Sequence, residues 1–267
     1  MGATAILFPG QGSHEPGMDA PYRGHPLLER GLERLGEDPF ARLDEGTRWQ
    51  QPALFLVSVA AWDEARPEAA AAAGHSLGEY AALHAAGVLG FEDALALVDV
   101  RARAMADAGA ARPGGMVAML GGEEEDVRAL AERHGLTVAN DNAPGQLVLS
   151  GARDAVRAAA QEAREAGARA RELPVSGAFH SPLMEPAAEA LRAALAEVEP
   201  GPAQVPVWSN GTARPFGDVR EELAANLLRP VRWRETIVAL HDGGVEDFVE
   251  LGPGRALTGM VRRTVRG

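Results

Sequence analysis

The chain has 267 residues, of which 46% are hydrophobic and 24% are charged, and it contains no cysteine and no lysine. This length and apolar content allow one large core, or a large core with a smaller inserted unit. The formal net charge of −12 disfavours nucleic acid and anionic membrane surfaces as partners. The missing residue types exclude disulfides, thiolate metal sites, cysteine nucleophiles and Schiff-base lysines.

No segment of the sequence predicts export or membrane insertion. The apolar stretch at residues 3–9 is too short for a signal peptide, and no basic region precedes it. No apolar run reaches the length of a transmembrane helix. A soluble cytoplasmic protein without membrane contacts is therefore expected.

Short apolar strands alternate with longer helical patterns in the first 114 residues, which is typical of an α/β domain. The elements predicted here are, in chain order, a strand at 4–9, helices at 26–35 and 53–64, a strand at 69–74, and helices at 79–86 and 91–108.

The next 61 residues, 115–175, have shorter elements in a different order. They read as a strand at 116–120, a helix at 123–134, strands at 136–140 and 146–150, a helix at 154–166 and a strand at 169–175. This βαββαβ order matches a ferredoxin-like unit. We therefore expect 115–175 to be a small subdomain inserted into a larger one, which is formed by 1–114 and 176–267.

The last part of the chain returns to the α/β pattern. Its predicted elements are a helix at 186–198, a strand at 205–209, helices at 220–228 and 234–242, a strand at 245–250 and a helix at 256–263.

A serine lies between two glycines where a predicted strand meets a predicted helix, in Gly74-His75-Ser76-Leu77-Gly78. This pattern is typical of a nucleophile elbow, a tight turn that exposes the serine hydroxyl. Glycine on either side tolerates the close backbone packing that such a turn needs. The N-terminus of the following helix favours negative charge that develops beside the serine.

Seven histidines are candidates for the base that would activate Ser76: His14, His25, His75, His84, His134, His180 and His241. His180 is favoured because it follows a predicted strand at the point where the inserted unit rejoins the larger one, a natural cleft wall. The order of triad residues in an ordinary α/β-hydrolase fits only weakly, with His241 as its late histidine.

Several short segments together resemble malonyl-coenzyme A:acyl carrier protein transacylases and the acyltransferase domains of polyketide synthases. They occur in the order found in that family and span nearly the whole chain. The matching segments are FPGQGS at 8–13, QPAL at 51–54, GHSLGEY at 74–80, VR at 100–101, NAPGQ at 142–146, GAFH at 177–180, RPV at 229–231 and ELGPG at 250–254. The resemblance implies a hydrolase-like α/β subdomain with a parallel sheet and an inserted ferredoxin-like subdomain.

The resemblance also implies the catalytic groups. Ser76 would be the nucleophile and His180 the base, with the histidine oriented by the backbone carbonyl of Asn226 rather than by a carboxylate. The oxyanion would be bound by the backbone N–H groups of Gln11 and Leu77, which aim two donors at charge that develops in the tetrahedral state.

Five further residues are expected to bind substrate by the same resemblance. Arg101 would hold the free carboxylate of a malonyl group in a bidentate pair, which fixes its orientation. Phe179 would oppose an added methyl group on the α-carbon and so favour malonyl over methylmalonyl. Gln51, Asn142 and Gln146 would lie at or near the acyl-coenzyme A cleft.

The function implied is ping-pong transfer of a malonyl group from malonyl-CoA to the phosphopantetheine thiol of an acyl carrier protein, for fatty-acid or polyketide synthesis. No bound cofactor and no metal are expected. Six late arginines could form a positive patch for an acidic carrier: Arg229, Arg232, Arg234, Arg255, Arg262 and Arg263. A serine esterase or editing hydrolase of the same superfamily, and a non-catalytic carrier-docking protein, remain as alternatives.

Overall fold

The computed structural model describes residues 2–266, which contain ten α-helices and nine strands, besides three short 3-10 helices at 20–22, 39–45 and 182–184. In chain order these are β1 (Ala3–Phe8), α1 (Pro26–Leu35), α2 (Thr47–Ala65), β2 (Ala71–Gly74), α3 (Gly78–Ala85), α4 (Phe91–Ala111), β3 (Gly114–Leu120), α5 (Glu124–Arg133), β4 (Thr137–Ala143), β5 (Gln146–Ala152), α6 (Arg153–Glu165), β6 (Arg169–Glu172), α7 (Glu185–Leu195), β7 (Val207–Ser209), β8 (Arg214–Pro215), α8 (Val219–Ala225), α9 (Trp233–Asp242), β9 (Val245–Glu250) and α10 (Ala256–Arg266). Within residues 2–266, no helix combines the length and the apolar character that crossing a bilayer requires.

The larger sheet has the strand order β8-β7-β2-β1-β9, and every neighbouring pair except β7 with β8 is parallel. Side chains of β1 alternate between its two faces, as a strand covered on both sides requires. Ile6 and Phe8 face a core shared with α2, α3 and α4. Ala5 and Leu7 face a second core, built with α9 and α10. This parallel sheet with helices on both faces confirms the predicted α/β class.

The smaller sheet is antiparallel, with the strand order β4-β5-β3-β6. Its elements follow the predicted βαββαβ order, and α5 and α6 cover one face through a separate apolar core. The other face contributes Met116, Ala118 and Val148 to the core of the larger sheet. The division into 1–114 with 176–267 and 115–175 stays a prediction.

Several predicted boundaries differ from the observed ones, and a proline is involved at two of them. Helix α2 begins at Thr47 rather than at 53, so Pro52 lies inside it. Burial of Trp49 and Gln51 stabilises the added turn, which offsets the hydrogen bond that a proline cannot donate. Strand β6 ends at Glu172 rather than at 175, because Pro174 cannot donate to a ladder.

The two glycines around Ser76 permit a very close backbone approach. A Cβ on Gly74 would lie 1.9 Å from the carbonyl carbon of Gly78, and a Cβ on Gly78 would lie 2.1 Å from the carbonyl oxygen of Phe8. Neither contact is compatible with a real side chain, so β1, β2 and α3 can meet only through glycine. The segment 74–78, here called the elbow, is therefore packed tightly against the end of β1.

Replacing Gly78 with alanine should lower the free energy of unfolding by about 1–3 kcal/mol, because the added methyl group overlaps the backbone of β1. Urea denaturation of the variant measures the loss. Gly259→Ala is the matched control, since nothing lies within 4 Å of a Cβ at that helical position and alanine there should add about 0.5–1 kcal/mol. Equal unfolding midpoints for the two variants would contradict the packing argument.

Candidate active site

Ser76 lies in the turn between β2 and α3, at the carboxyl end of the parallel sheet. Its backbone has a φ of 52°, in the left-handed region that non-glycine residues rarely adopt. His180 shares this property with a φ of 56°. Strained backbone of this kind persists only where surrounding contacts hold it, and it clusters at functional sites.

The hydroxyl of Ser76 is hydrogen-bonded to the imidazole of His180, with 2.8 Å between Oγ and Nε2. On the other side of the ring, Nδ1 lies 2.8 Å from the backbone oxygen of Asn226 and 3.1 Å from that of Arg229. Carbonyl oxygens only accept, so Nδ1 carries the proton and Nε2 offers its lone pair to the serine. The ring is thus oriented by backbone carbonyls.

His180 is neutral at physiological pH. Burial, and then the positive charge of Arg101, lower its pKa to about 3. A neutral imidazole is ready to accept a proton from the serine hydroxyl without first losing one.

Arg101 places a buried guanidinium next to the serine. It lies on α4 and is 3% exposed, and its Nη2 donates to Oγ of Ser76 at 2.9 Å. Nη1 donates to Oε1 of Gln51, and Nε has no hydrogen-bond partner among residues 2–266. The side chain forms no ion pair within that range, and a buried cation without a counterion favours the binding of an anionic ligand.

Gln51 accepts a hydrogen bond from this guanidinium and does not line the cavity. It is fully buried, and its Nε2 donates to Oγ1 of Thr47 at 2.7 Å. Thr47 in turn donates to Oε1 of Gln11 at 2.9 Å. A chain of side-chain hydrogen bonds therefore connects Arg101 to the loop after β1.

Two backbone N–H groups near the serine are available as donors. Gln11 belongs to the loop after β1, and Leu77 caps the N-terminus of α3 with its side chain in the larger core. Neither N–H has an acceptor within residues 2–266. Gly10 makes this arrangement possible, because a Cβ there would lie 2.3 Å from the backbone oxygen of His75.

A cavity of about 290 Å³ runs between the two sheets to Ser76. The larger subdomain lines it with Gln11, Arg101, Phe179 and His180, and also with the first turns of α10. The smaller sheet contributes side chains that include Asn142 and Gln146. Of these, Asn142 Oδ1 lies 2.8 Å from Nε2 of His75, and Gln146 accepts a hydrogen bond from Arg263. Seven of the ten sequence-predicted site residues therefore line one cavity, and three do not: Gln51, Leu77 and Asn226.

The six late arginines do not form the single patch expected from the sequence. Arg232 pairs with Glu235, and Arg234 pairs with Glu124 and Asp141. Ion pairs of this kind leave little charge for a partner. Three others, Arg255, Arg262 and Arg263, are exposed at or next to α10, the helix that lines the cavity, and are here called the α10 arginines.

Sequence reasoning missed two buried polar residues behind the elbow. Asn210 follows β7, and its Oδ1 accepts the N–H of Ser76 at 2.6 Å. Glu79 on α3 accepts the N–H of Asn210 at 2.8 Å. The available signal was the position of Asn210 directly after a parallel strand, where side chains gather at the active edge of an α/β sheet.

Among residues 2–266 there is no group of three or more histidine or acidic side chains arranged to hold a metal ion. The site described above consists of a hydroxyl, an imidazole, a guanidinium, amides and backbone donors.

Comparison with known proteins gives consistent matches over nearly the whole chain. Residues 35–267 match the family described as the acyl transferase domain. A malonyl CoA-acyl carrier protein transacylase of Bacillus subtilis is 39% identical over 290 residues, which cover 100% of this chain and 92% of the relative. The polyketide biosynthesis protein ThaF of Burkholderia thailandensis is 42% identical over 279 residues, which cover 97% of this chain but 24% of that longer protein.

A solved structure supports the same assignment. It contains a type II PKS acyl-carrier protein in complex with its malonyl-transacylase. The match has a TM-score of 0.92 and 35% sequence identity, and it covers 99% of this chain and 93% of that chain.

Covalent labelling of Ser76 by a serine-directed organophosphonate should be almost equally fast at about pH 5.5 and about pH 7.5. The reason is that burial and Arg101 hold the pKa of His180 far below this range, whereas an ordinary histidine would lose roughly tenfold of its neutral form. In Arg101→Gln the pKa of His180 should rise, which moves the acid-side loss of labelling to higher pH. A tenfold loss in the unmodified protein would refute the depressed pKa.

Proposed function

Because the chain belongs to the malonyl CoA-acyl carrier protein transacylase family, we propose that it transfers a malonyl group from malonyl-CoA to an acyl carrier protein. The observation that carries this proposal is the guanidinium of Arg101, buried beside Oγ of Ser76 without an ion-pair partner in residues 2–266. A malonyl thioester brings a carboxylate close to its reactive carbonyl, and this carboxylate is the counterion that Arg101 lacks.

In the first half-reaction Ser76 is acylated. Its hydroxyl proton passes to Nε2 of His180 while Oγ attacks the thioester carbonyl carbon, and collapse of the tetrahedral intermediate breaks the C–S bond. The departing thiolate of coenzyme A takes the proton back from His180. The carbonyls of Asn226 and Arg229 keep the ring in the tautomer that this transfer needs.

The tetrahedral oxyanion would be bound by the backbone N–H groups of Gln11 and Leu77. Both donors are preorganised, one on the loop after β1 and one at the start of α3, and both lack another acceptor in residues 2–266. Donors aimed at developing charge are worth about 2.7–4 kcal/mol each in comparable sites.

The second half-reaction repeats the chemistry with a carrier. His180 takes the proton of the phosphopantetheine thiol, the sulfur attacks the malonyl-serine ester, and Ser76 leaves with the proton from His180. No bound cofactor takes part, because the pantetheine arm arrives with the substrate and with the partner. Both half-reactions need a cavity that admits a long pantetheine arm to Ser76, and the cavity between the two sheets would serve this purpose.

Substrate choice would be divided between two walls of this cavity. Arg101, with Gln51 behind it, would fix the carboxylate in a bidentate pair. Phe179 is 5% exposed and lines the cavity, so it would limit bulk at the α-carbon. A single methyl group is worth about 1–3 kcal/mol of discrimination in such a pocket. Asn142 and Gln146 would bound the channel on the side of the smaller sheet.

The carrier would dock at α10, whose residues Ala256, Leu257 and Met260 line the cavity. The α10 arginines are exposed on or next to this helix and would suit an acidic partner. The relatives include both a transacylase and a polyketide biosynthesis protein, so the malonyl carrier would serve fatty-acid or polyketide synthesis. The cytoplasmic location stays a prediction.

Intact mass spectrometry after mixing with malonyl-CoA tests the function directly. The unmodified protein should gain one malonyl group and pass it to a holo acyl carrier protein, and Ser76→Ala should gain none because it lacks the nucleophile. Release of free malonate without malonyl-carrier would favour the hydrolase alternative. A malonyl adduct on Ser76→Ala would remove Ser76 as the nucleophile, and absence of any adduct on the unmodified protein would favour the docking alternative.

Replacing Arg101 with alanine should affect the transfer of malonyl and acetyl groups differently. Malonyl transfer should fall by roughly 100-fold or more, because a buried charge-assisted pair costs about 2–5 kcal/mol when one partner is truncated. Acetyl transfer, which needs no counterion, should survive or rise, as measured by kcat/KM for each acyl-CoA. Arg103→Ala is the control, since Arg103 lies on the same helix but is exposed and paired with Asp99. Equal losses for malonyl and acetyl would rule out the carboxylate clamp.

A further inference from the structure

Glu79 is a buried acid close to the nucleophile that the mechanism above does not use. It lies on α3, three residues after Ser76, and is 3% exposed. Its backbone N–H donates to the carbonyl oxygen of Ser76 at 3.1 Å, but its side chain makes no hydrogen bond to Ser76 or His180 and no ion pair within residues 2–266. Burying a carboxyl group costs free energy unless hydrogen bonds compensate it. The hydrogen bonds of Glu79 therefore indicate what it does.

A single oxygen of Glu79 connects two distant segments of the chain. Oε1 accepts the backbone N–H of Asn210 at 2.8 Å and Nδ2 of Asn226, also at 2.8 Å. Asn210 follows β7 and Asn226 ends α8. Both asparagines are at most 2% exposed, so water cannot replace these bonds.

Asn210 passes this support to the nucleophile. Its Oδ1 accepts the N–H of Ser76 at 2.6 Å, and its Nδ2 donates to the carbonyl oxygen of Gly74 at 2.7 Å. The side chain therefore bridges the elbow on both sides of the strained residue. The left-handed backbone of Ser76 is held from outside, as such strain requires.

Asn226 passes the same support to the base. Its side chain is fixed by Glu79 and by Oγ of Ser209 at 3.1 Å, while its own backbone oxygen accepts from Nδ1 of His180. Moving the side chain of Asn226 would move the carbonyl that orients the imidazole. The backbone of Ser76 and the orienting carbonyl of His180 are thus tied to one carboxyl oxygen.

We propose that Glu79 is a positioning residue for acyl transfer. By accepting hydrogen bonds from Asn210 and Asn226, it fixes the position of Ser76 relative to His180. The proposal rests on the function proposed above. The role requires an acceptor rather than a charge, because a carboxyl, carboxylate or amide oxygen can each accept both bonds. Burial raises the pKa of Glu79 to about 8, so the carboxyl group is largely neutral near pH 7, which agrees with a role that needs no charge.

Two substitutions at Glu79 separate the acceptor from the charge. Glu79→Gln keeps an oxygen for both donors and should retain kcat for malonyl transfer within about threefold. Glu79→Leu has a similar volume but no acceptor. It should lower kcat roughly 100-fold with little change in KM, since displacements of about 1 Å at a reacting pair have effects of this size. Rates are normalised to the folded fraction measured by circular dichroism.

Organophosphonate labelling of Ser76 provides a second readout that does not need malonyl-CoA or a carrier. Labelling should be slow in Glu79→Leu and near normal in Glu79→Gln, even if malonyl transfer itself failed in the unmodified protein. Failure of the proposed function is thereby distinguishable from failure of the positioning role. Glu222→Leu is the control, because Glu222 caps the nearby loop through the N–H of Gly217 and should affect stability without slowing labelling.

Two results would overturn the proposal. One is a Glu79→Leu protein that is less stable but labels and turns over normally per folded molecule, which would make Glu79 a structural residue only. The other is a Glu79→Gln protein as slow as Glu79→Leu, which would show that the carboxylate charge, not the acceptor, is needed.

Discussion

The close approach of β1, β2 and α3 is the constraint on which the rest of the site depends. Gly74 and Gly78 leave no space for a Cβ, and Gly10 likewise approaches the backbone of His75. These contacts bring the loop after β1 against the elbow, and this places the free N–H of Gln11 beside the serine. The strained backbone of Ser76 follows from the same packing, because the chain must turn sharply to enter α3. Geometry at the reacting hydroxyl is therefore set by the sheet rather than by a flexible loop.

The two side chains that are hydrogen-bonded to the hydroxyl of Ser76 are the neutral imidazole of His180 and the positive guanidinium of Arg101. His180 is oriented by backbone carbonyls and not by a carboxylate, and the nearest buried acid, Glu79, accepts from amides. A carboxylate placed in a conventional triad position would compete with a substrate carboxylate for Arg101. Because no carboxylate in residues 2–266 is bonded to His180, the guanidinium of Arg101 also stays without an ion-pair partner in that range.

Local features of the fold and the site could be predicted from the sequence, whereas contacts between distant residues could not. Periodicity and turn residues predicted the order of the elements, and the glycines predicted the elbow, because these signals lie within a few adjacent residues. The role of the Asn226 carbonyl came only from the family resemblance, since a backbone oxygen leaves no residue-type signal. The bond between Asn210 and Glu79 spans 131 positions, and nothing local to either residue predicts it. The arginine patch was misjudged for the same reason, because Arg234 meets Glu124 and Asp141 only in the folded chain.

If Arg101 binds the acyl carboxylate as proposed, its contact with Ser76 makes the basicity of His180 depend on the acyl group that is bound. In the structure the guanidinium donates to Oγ, and its charge adds to burial in lowering the pKa of His180. A carboxylate bound to Arg101, as proposed above, would neutralise that charge and compete with Oγ for the guanidinium, so the imidazole would become more basic when such a substrate binds. An acyl group without a carboxylate would leave the charge and the hydrogen bond in place. Selectivity would then come from activation of Ser76 as well as from binding.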